Sequence, residues 1–384
     1  MNKSRSILIF EQYIQSDKTR SQYRYHIDQF VEYCHLKSPD SILKLDDSKV
    51  KEKLEDYIIF RKNKGNSPNY LRIILFAVQN FCEANDKDGI NFKKIRKLVG
   101  KKQRPKKTRP YTTVEIKLML GTTKNLRSKA IILFLSTSGV RRGALCELKI
   151  GHLREMPNDC LAVTVYADSD EEYTTFINKE AKDSLTRYFE RRKKDGEVLD
   201  PEHPVFRTKY RLGLEPTKPI SEKVISNIIH RAKTNGGVNL EDTPNMLCHA
   251  FRRRFNTILK LNNSINSHLI EKLMGHSVAI PLDNAYLQPT LDNLFEEYQK
   301  GLADLSIDDN TRILEENKKL IIEKSELRKQ TDKIGELKKR LEEQLRQDYT
   351  MTPSQEQRIS AQEKTIELLS NQLLVLQKMV LKNN

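Results

Sequence analysis

His249, Arg252, Arg141, His276 and Tyr286 are the residues from which this chain could build chemistry. His249-Ala250-Phe251-Arg252 is an H-x-x-R quartet, preceded by Ser138-Gly139-Val140-Arg141 and followed by Leu273-Met274-Gly275-His276 and then Tyr286. Two arginines, two histidines and a late tyrosine in this order suit phosphoryl transfer, with the tyrosine as nucleophile and the cations holding a phosphate. A nucleic-acid backbone is the natural substrate of such a set.

Helices must position most of these groups. Asp242-Thr243-Pro244 reads as a helix start, after which Leu247, Phe251, Phe255 and Ile258 share an apolar face. His249, Arg252, Arg253 and Asn256 fall on the opposite, polar face. Ala130 to Leu135 reads as a buried helix ended by Ser138-Gly139, with Arg141 where the next helix begins. Leu161 to Tyr166 alternates with β-branched residues and is answered by Tyr173 to Ile177, so a hairpin is expected with Asp168 to Glu172 at its acidic turn.

Upstream, residues 1 to about 95 read as a small helical bundle. Tyr23, Ile27, Phe30 and Cys34 recur at helical spacing, Lys51 to Arg61 forms a further segment, and Ser67-Pro68 opens a helix through Leu71, Ile74, Leu75, Val78 and Phe81. Residues 91 to 109 carry ten Lys or Arg and no acid, which is most of the formal charge of +16. Pro105 and Pro110 interrupt the stretch from Lys101 to Pro110, so Lys101, Lys102, Arg104, Lys106, Lys107 and Arg109 are expected in a linker that contacts DNA phosphates.

The composition narrows the class. A 37% hydrophobic content suits globular folding, and the excess of bases calls for a polyanionic partner. Five scattered cysteines without C-x-x-C spacing indicate neither a disulfide framework nor a zinc site. No stretch approaches the roughly 18 apolar residues of a membrane span. A soluble, cytoplasmic protein with no membrane association is expected.

Ile313, Leu320, Leu327, Ile334 and Leu341 repeat every seven residues, and after Pro353 so do Ile359, Ile366, Leu373 and Val380. These rows predict two coiled-coil helices. Asn317, Lys324 and Thr331 weaken the second seam of the first row. Homo-oligomerisation is the favoured role, with a helix folding back on its own chain as the alternative.

Over about residues 5 to 302 the chain resembles the tyrosine recombinase (phage-type integrase) family. Thr137-Ser138-Gly139-Val140-Arg141 is similar to its T-G-L-R box, His249 to Thr257 to its H-x-L-R-H-x-F-A-T box, and Leu273-Met274-Gly275-His276-Ser277 to its L-G-H-S box. Tyr286 follows His276 by ten residues, near the spacing of the family's nucleophile. The Arg141-Arg142-Gly143-Ala144-Leu145 run and the hairpin are more similar to archaeal members. The resemblance implies that Arg141 and Arg252 offer their forks to the scissile phosphate. It gives His249 a part in proton transfer, His276 a hydrogen bond to the phosphate, and Tyr286 the attack that leaves a 3′-phosphotyrosine. No cofactor and no metal are then required.

Two rivals and two departures stand beside this reading. Arg142 competes with Arg141, although the glycine register favours Arg141, and Tyr298 competes with Tyr286, although Leu294 and Phe295 on the same helix suggest packing. The family's hairpin turn carries a lysine that protonates the leaving 5′ oxygen, but this turn reads Ala167-Asp168-Ser169-Asp170-Glu171-Glu172. Lys179, just past the second strand, is the nearest replacement. Ala144 stands where many members carry an acid, and Glu147 is the residue that could compensate.

The expected architecture is mainly α with a small β-hairpin or sheet (α+β). A helical core-binding domain at 1–98, a basic linker at 99–111, a catalytic domain at 112–302 and a coiled-coil tail at 303–384 would follow one another, the two domains clasping duplex DNA from opposite sides. The expected function is site-specific DNA recombination or integration. The alternatives are a catalytically silent DNA-binding or architectural protein on this scaffold, and strand passage like that of a type IB topoisomerase.

Overall fold

A computed structural model describes residues 4–101, 109–208, 217–238, 247–276, 288–348 and 356–382. The chain splits into two compact units, Met1–Lys106 and Lys107–Asn384.

The first unit is helical: α1 (Arg5–Gln12), α2 (Asp17–Tyr33), the single turn α3 (Asp40–Leu43), α4 (Asp47–Asn63), α5 (Pro68–Glu83) and α6 (Phe92–Val99). Local signals open the central helix α5, where Ser67 Oγ accepts the Tyr70 N–H at 3.3 Å and Pro68 occupies the first turn. Its apolar stripe of Leu71, Ile74, Leu75, Val78 and Phe81 is fully buried with Ile27 and Phe30 of α2. Each such side chain contributes roughly 1.5–3 kcal/mol by leaving water. In α6 the buried Phe92, Ile95 and Val99 leave Lys93, Lys94 and Lys97 on the outer face. Part of the basic run is therefore helical rather than linker.

The second unit opens with α7 (Thr113–Thr122), α8 (Leu126–Ser138) and the turn α9 (Ala144–Glu147), then β1 (Leu153–Met156), β2 (Cys160–Val165) and β3 (Tyr173–Ile177). It continues through α10 (Lys179–Lys194), α11 (Glu222–Asn235), α12 (Cys248–Leu261), α13 (Ser267–Leu273), α14 (Leu291–Gln299) and the turn α15 (Leu302–Leu305). Two long helices, α16 (Asp309–Asp348) and α17 (Glu356–Lys382), complete it.

The strands form an antiparallel sheet in the order β1-β2-β3. The expected hairpin pairs Val165 with Tyr173 and Leu161 with Ile177. Strand β1, which pairs Met156 with Cys160, was not expected: its four residues are too few to show alternation, and Asn158 and Asp159 turn the chain with positive φ. Helix α8 is apolar around most of its circumference because α10 and α12 both pack on it. A second cluster gathers Phe176 of β3, Phe255 and Leu259 of α12 and Tyr298 of α14.

Helix α16 packs against α17 within the chain, the arrangement the sequence reading ranked second for the tail. Among the described residues no helix is long and apolar enough to cross a membrane.

Candidate functional site

Two glycine turns build the site. Helix α8 ends at Gly139 with φ +64°, and a Cβ there would come within 2.5 Å of the Phe255 ring. Helix α13 ends at Gly275 with φ +59°, and a Cβ there would come within 2.3 Å of the Tyr173 ring. Glycine is demanded twice over at each position, by the left-handed backbone and by the ring behind it. At α13 the His276 N–H donates to the Glu271 carbonyl at 3.0 Å and the Gly275 N–H to the Lys272 carbonyl at 2.9 Å. That is the Schellman pattern of helix termination, and it folds His276 back over its own helix.

The arginines tie these turns together. Arg252 of α12 is 4% exposed and donates from Nη1 to the Gly139 carbonyl at 2.7 Å and from Nη2 to the Met274 carbonyl at 2.5 Å. Sequence periodicity placed this residue on an open polar face, but the turns after α8 and α13 cover it. Burial lowers its pKa, and the nearby Tyr173 phenol opposes that shift. Arg141 lies in the loop between α8 and α9 rather than at a helix start, and its Nη2 donates to the Gly275 carbonyl at 3.1 Å.

Arg142 is engaged elsewhere: its guanidinium holds the Glu222 carboxylate and donates from Nη1 to Ser226 Oγ at 2.6 Å, both on α11. Between the two neighbours, Arg141 is the one that lines a cavity of about 470 Å³ with Lys272 and His276. Asp170, Glu171 and Glu172 of the hairpin turn stand on the same cavity.

The histidines are held differently. His276 Nδ1 lies 2.5 Å from Glu271 Oε2, and Lys260 donates to the other oxygen of that carboxylate. Burial alone would raise the Glu271 pKa, but the hydrogen bonds from Lys260 and His276 outweigh it and hold the carboxyl below its usual range. His249 is exposed at the start of α12, yet the surrounding protein partly desolvates it and the charges of Arg253, Arg252, Arg141 and His276 add to that effect. Its pKa is therefore lowered from the usual imidazole value, which favours a neutral ring able to take a proton.

Other expected residues fall elsewhere. Lys179 sits beyond the Ile177 end of β3, while Tyr173 at the other end lines the cavity. Four residue steps of strand, roughly 13 Å, separate those ends. Its ammonium pairs with Asp159 at 2.9 Å and Asp183 at 3.8 Å, so it does not join the cluster. Tyr298 is fully buried against Phe176 and Phe255 and donates to the Thr137 carbonyl at 3.1 Å, a packing role. Arg109 closes on Glu115, the residue that caps α7, with Nη1 at 2.8 Å and Nη2 at 2.5 Å, so its fork is occupied by a carboxylate. Lys101 is exposed at the end of the first unit. Tyr286, Asp242-Thr243-Pro244, Lys102, Arg104, Lys106 and Lys107 lie outside the described residues.

Glu271, Lys272 and Tyr173 were not singled out from the sequence. The signal for Glu271 was available, because a glycine ending a helix sets the next residue over the one five positions earlier. Nothing local marks Tyr173, which meets the site only through strand pairing. Among the described residues no group of three or more His, Cys, Asp or Glu is placed to hold a metal ion.

Residues 109–290 match the model of the phage integrase family. The chain is similar to a tyrosine recombinase XerA of Saccharolobus solfataricus, 26% identical over 205 residues that cover 53% of this chain and 60% of that protein. It is also similar to a tyrosine recombinase XerA of Pyrococcus horikoshii, 22% identical over 286 residues that cover 74% of this chain and 88% of that protein. Among solved structures it shares the fold of a Tn1549 transposon integrase in complex with a circular intermediate DNA, with a TM-score of 0.53 at 18% identity, covering 77% of this chain and 98% of the other. Residues 109–290, which carry the paired glycine turns and the arginines that join them, match the phage integrase family, and the chain is similar to tyrosine recombinases over that region.

Proposed function

We propose that the protein is a site-specific DNA recombinase that cleaves and rejoins duplex DNA through a 3′-phosphotyrosine intermediate. One observation carries the reading: Arg141, Arg252 and His276, from three separate sequence boxes, converge on the Gly139 and Gly275 turns. In this role Arg141 and Arg252 stabilise the charge that develops on the scissile phosphate, a task suited to planar forks of donors. His276, braced by Glu271, hydrogen-bonds the phosphate, and His249 takes the phenolic proton. Tyr286, assigned from the sequence alone, is the nucleophile.

Duplex DNA is the partner, with the basic residues Lys101, Lys102, Arg104, Lys106 and Lys107 neutralising backbone charge. Helices α16 and α17 pack on each other yet leave Leu314, Ile321 and Ile322 more than half exposed, surface that a second protomer would cover.

A nicked suicide duplex tests the reading, its target first selected by the protein from a random duplex pool. Wild type becomes trapped as a covalent adduct and Tyr286→Phe does not. Three carboxylates on the cavity favour a second reading, a silent DNA-binding protein on this scaffold. Tight binding with no adduct would select it.

A further inference from the structure

Cleavage of a phosphodiester by a phenol needs a proton for the departing 5′ oxygen, because an alkoxide is a far poorer leaving group than a phenolate. The hairpin turn that faces the cavity supplies Asp170, Glu171 and Glu172 and no cation. Lys179 is held at the opposite end of β3 by Asp159. Arg141 and Arg252 are assigned to the phosphate oxygens, for which their planar forks are suited. Among the described residues on that cavity Lys272 remains: it is half-buried in the last turn of α13 and lines the same cavity as Arg141 and His276. Its neighbour Glu271 is committed to His276 and Lys260, so consecutive residues of one helix serve the phosphate-binding imidazole and the cavity.

We infer that Lys272 is the leaving-group acid of this chain, an assignment that rests on the recombinase reading above. The bond between Tyr286 Oη and phosphorus forms as the bond between phosphorus and O5′ breaks. The phenolic proton passes to His249 and an Nζ proton of Lys272 passes to O5′, leaving a 5′-hydroxyl, a neutral amine and an imidazolium. Religation runs the same two transfers in reverse. The general acid thus comes from the helix before the L-M-G-H turn and not from the hairpin.

The test uses the full chain and the selected duplex in two forms, one ordinary and one with a single 5′-bridging sulfur at the cleaved position, whose thiolate leaves without protonation. On the ordinary duplex Lys272→Ala slows adduct formation by roughly 10²- to 10⁴-fold, and on the sulfur duplex it returns to within about tenfold of wild type. Lys272→Arg, which keeps the charge but not the transferable proton, shows the same rescue without depending on the fold tolerating alanine. Lys179→Ala behaves alike on both duplexes. The inference is overturned if Lys272→Arg is unimpaired, if it is equally slow on both duplexes, or if the sulfur-specific rescue belongs to Lys179→Ala. If wild type forms no adduct on either duplex, the recombinase reading fails and takes this assignment with it.

Discussion

Arg141 donates to the carbonyl of Gly275, 134 residues further along the chain, at 3.1 Å. Arg252 makes the reciprocal contact, donating to the carbonyl of Gly139 just ahead of Arg141. Each arginine therefore braces a glycine turn at the other side of the site. The same groups that would hold a phosphate also hold the frame that presents it, so preorganisation and binding share their residues.

The tightest part of that frame is Gly275. Alanine there must adopt φ +59° and place its Cβ within 2.3 Å of the Tyr173 ring. Gly275→Ala is expected to cost about 2–4 kcal/mol in urea denaturation, from backbone strain and overpacking together. It also displaces His276, so adduct formation falls even where the protein stays folded. An unchanged unfolding midpoint would contradict the geometry.

The two arginines should respond differently to lysine. Arg141→Lys loses the fork but only one carbonyl contact, so adduct formation falls by about 10²-fold or more while stability changes by less than about 1 kcal/mol. Arg252→Lys also strips a buried partner from the Gly139 or Met274 carbonyl, and its unfolding free energy drops by about 1–3 kcal/mol. Equal stability of the two variants in calorimetry would refute this division.

If His276 binds the phosphate, Glu271 positions it, and a rate measurement can isolate that role. Glu271→Gln keeps the shape but weakens the hold on His276 Nδ1 and on Lys260. A fall of roughly 10- to 100-fold in adduct formation is expected, as for other partners that orient functional histidines. DNA affinity in a gel shift should stay within a few-fold of wild type. Loss of DNA affinity in step with rate would assign Glu271 to the fold instead.

The lowered pKa of His249 sets a pH window. Its unfolded value is near 6.5 and its folded value is lower, so on acidification the unfolded state takes up the proton first. The stability it contributes is whole above pH 6.5 and is lost as pH falls through the folded value. If His249 accepts the phenolic proton, the acid limb of cleavage lies below pH 6.5. Arg253→Gln removes a neighbouring positive charge and should move that limb upward. A limb above pH 6.5 in wild type, or one unmoved by Arg253→Gln, would sink the assignment.

Much of this protein is legible one residue at a time. Ser67-Pro68 opens α5, the alternation from Leu161 and from Tyr173 marks the paired strands, and Ser138-Gly139 ends α8. These are local events, settled by backbone sterics, caps and side-chain period within a few residues. The order of the arginine, histidine and glycine boxes is equally a property of the linear chain, and it carries the family resemblance without any tertiary contact.

What only the tertiary structure decided are choices between similar residues far apart in sequence. Arg141 and Arg142 are neighbours of the same type, and Glu222, eighty positions away, takes Arg142. Arg252 lies on the polar side of its helix, yet the carbonyls of Gly139 and Met274 make that side an interior. Lys179 is nearest to the hairpin turn along the chain but at the far end of the strand in space, while Lys272 reaches the cavity from another helix. The tail's heptads mark two helices and favour a second protomer over the same chain as their partner, whereas in the fold α17 packs on α16. Periodicity tells which face a residue occupies; which donors and acceptors cover that face depends on how the elements pack.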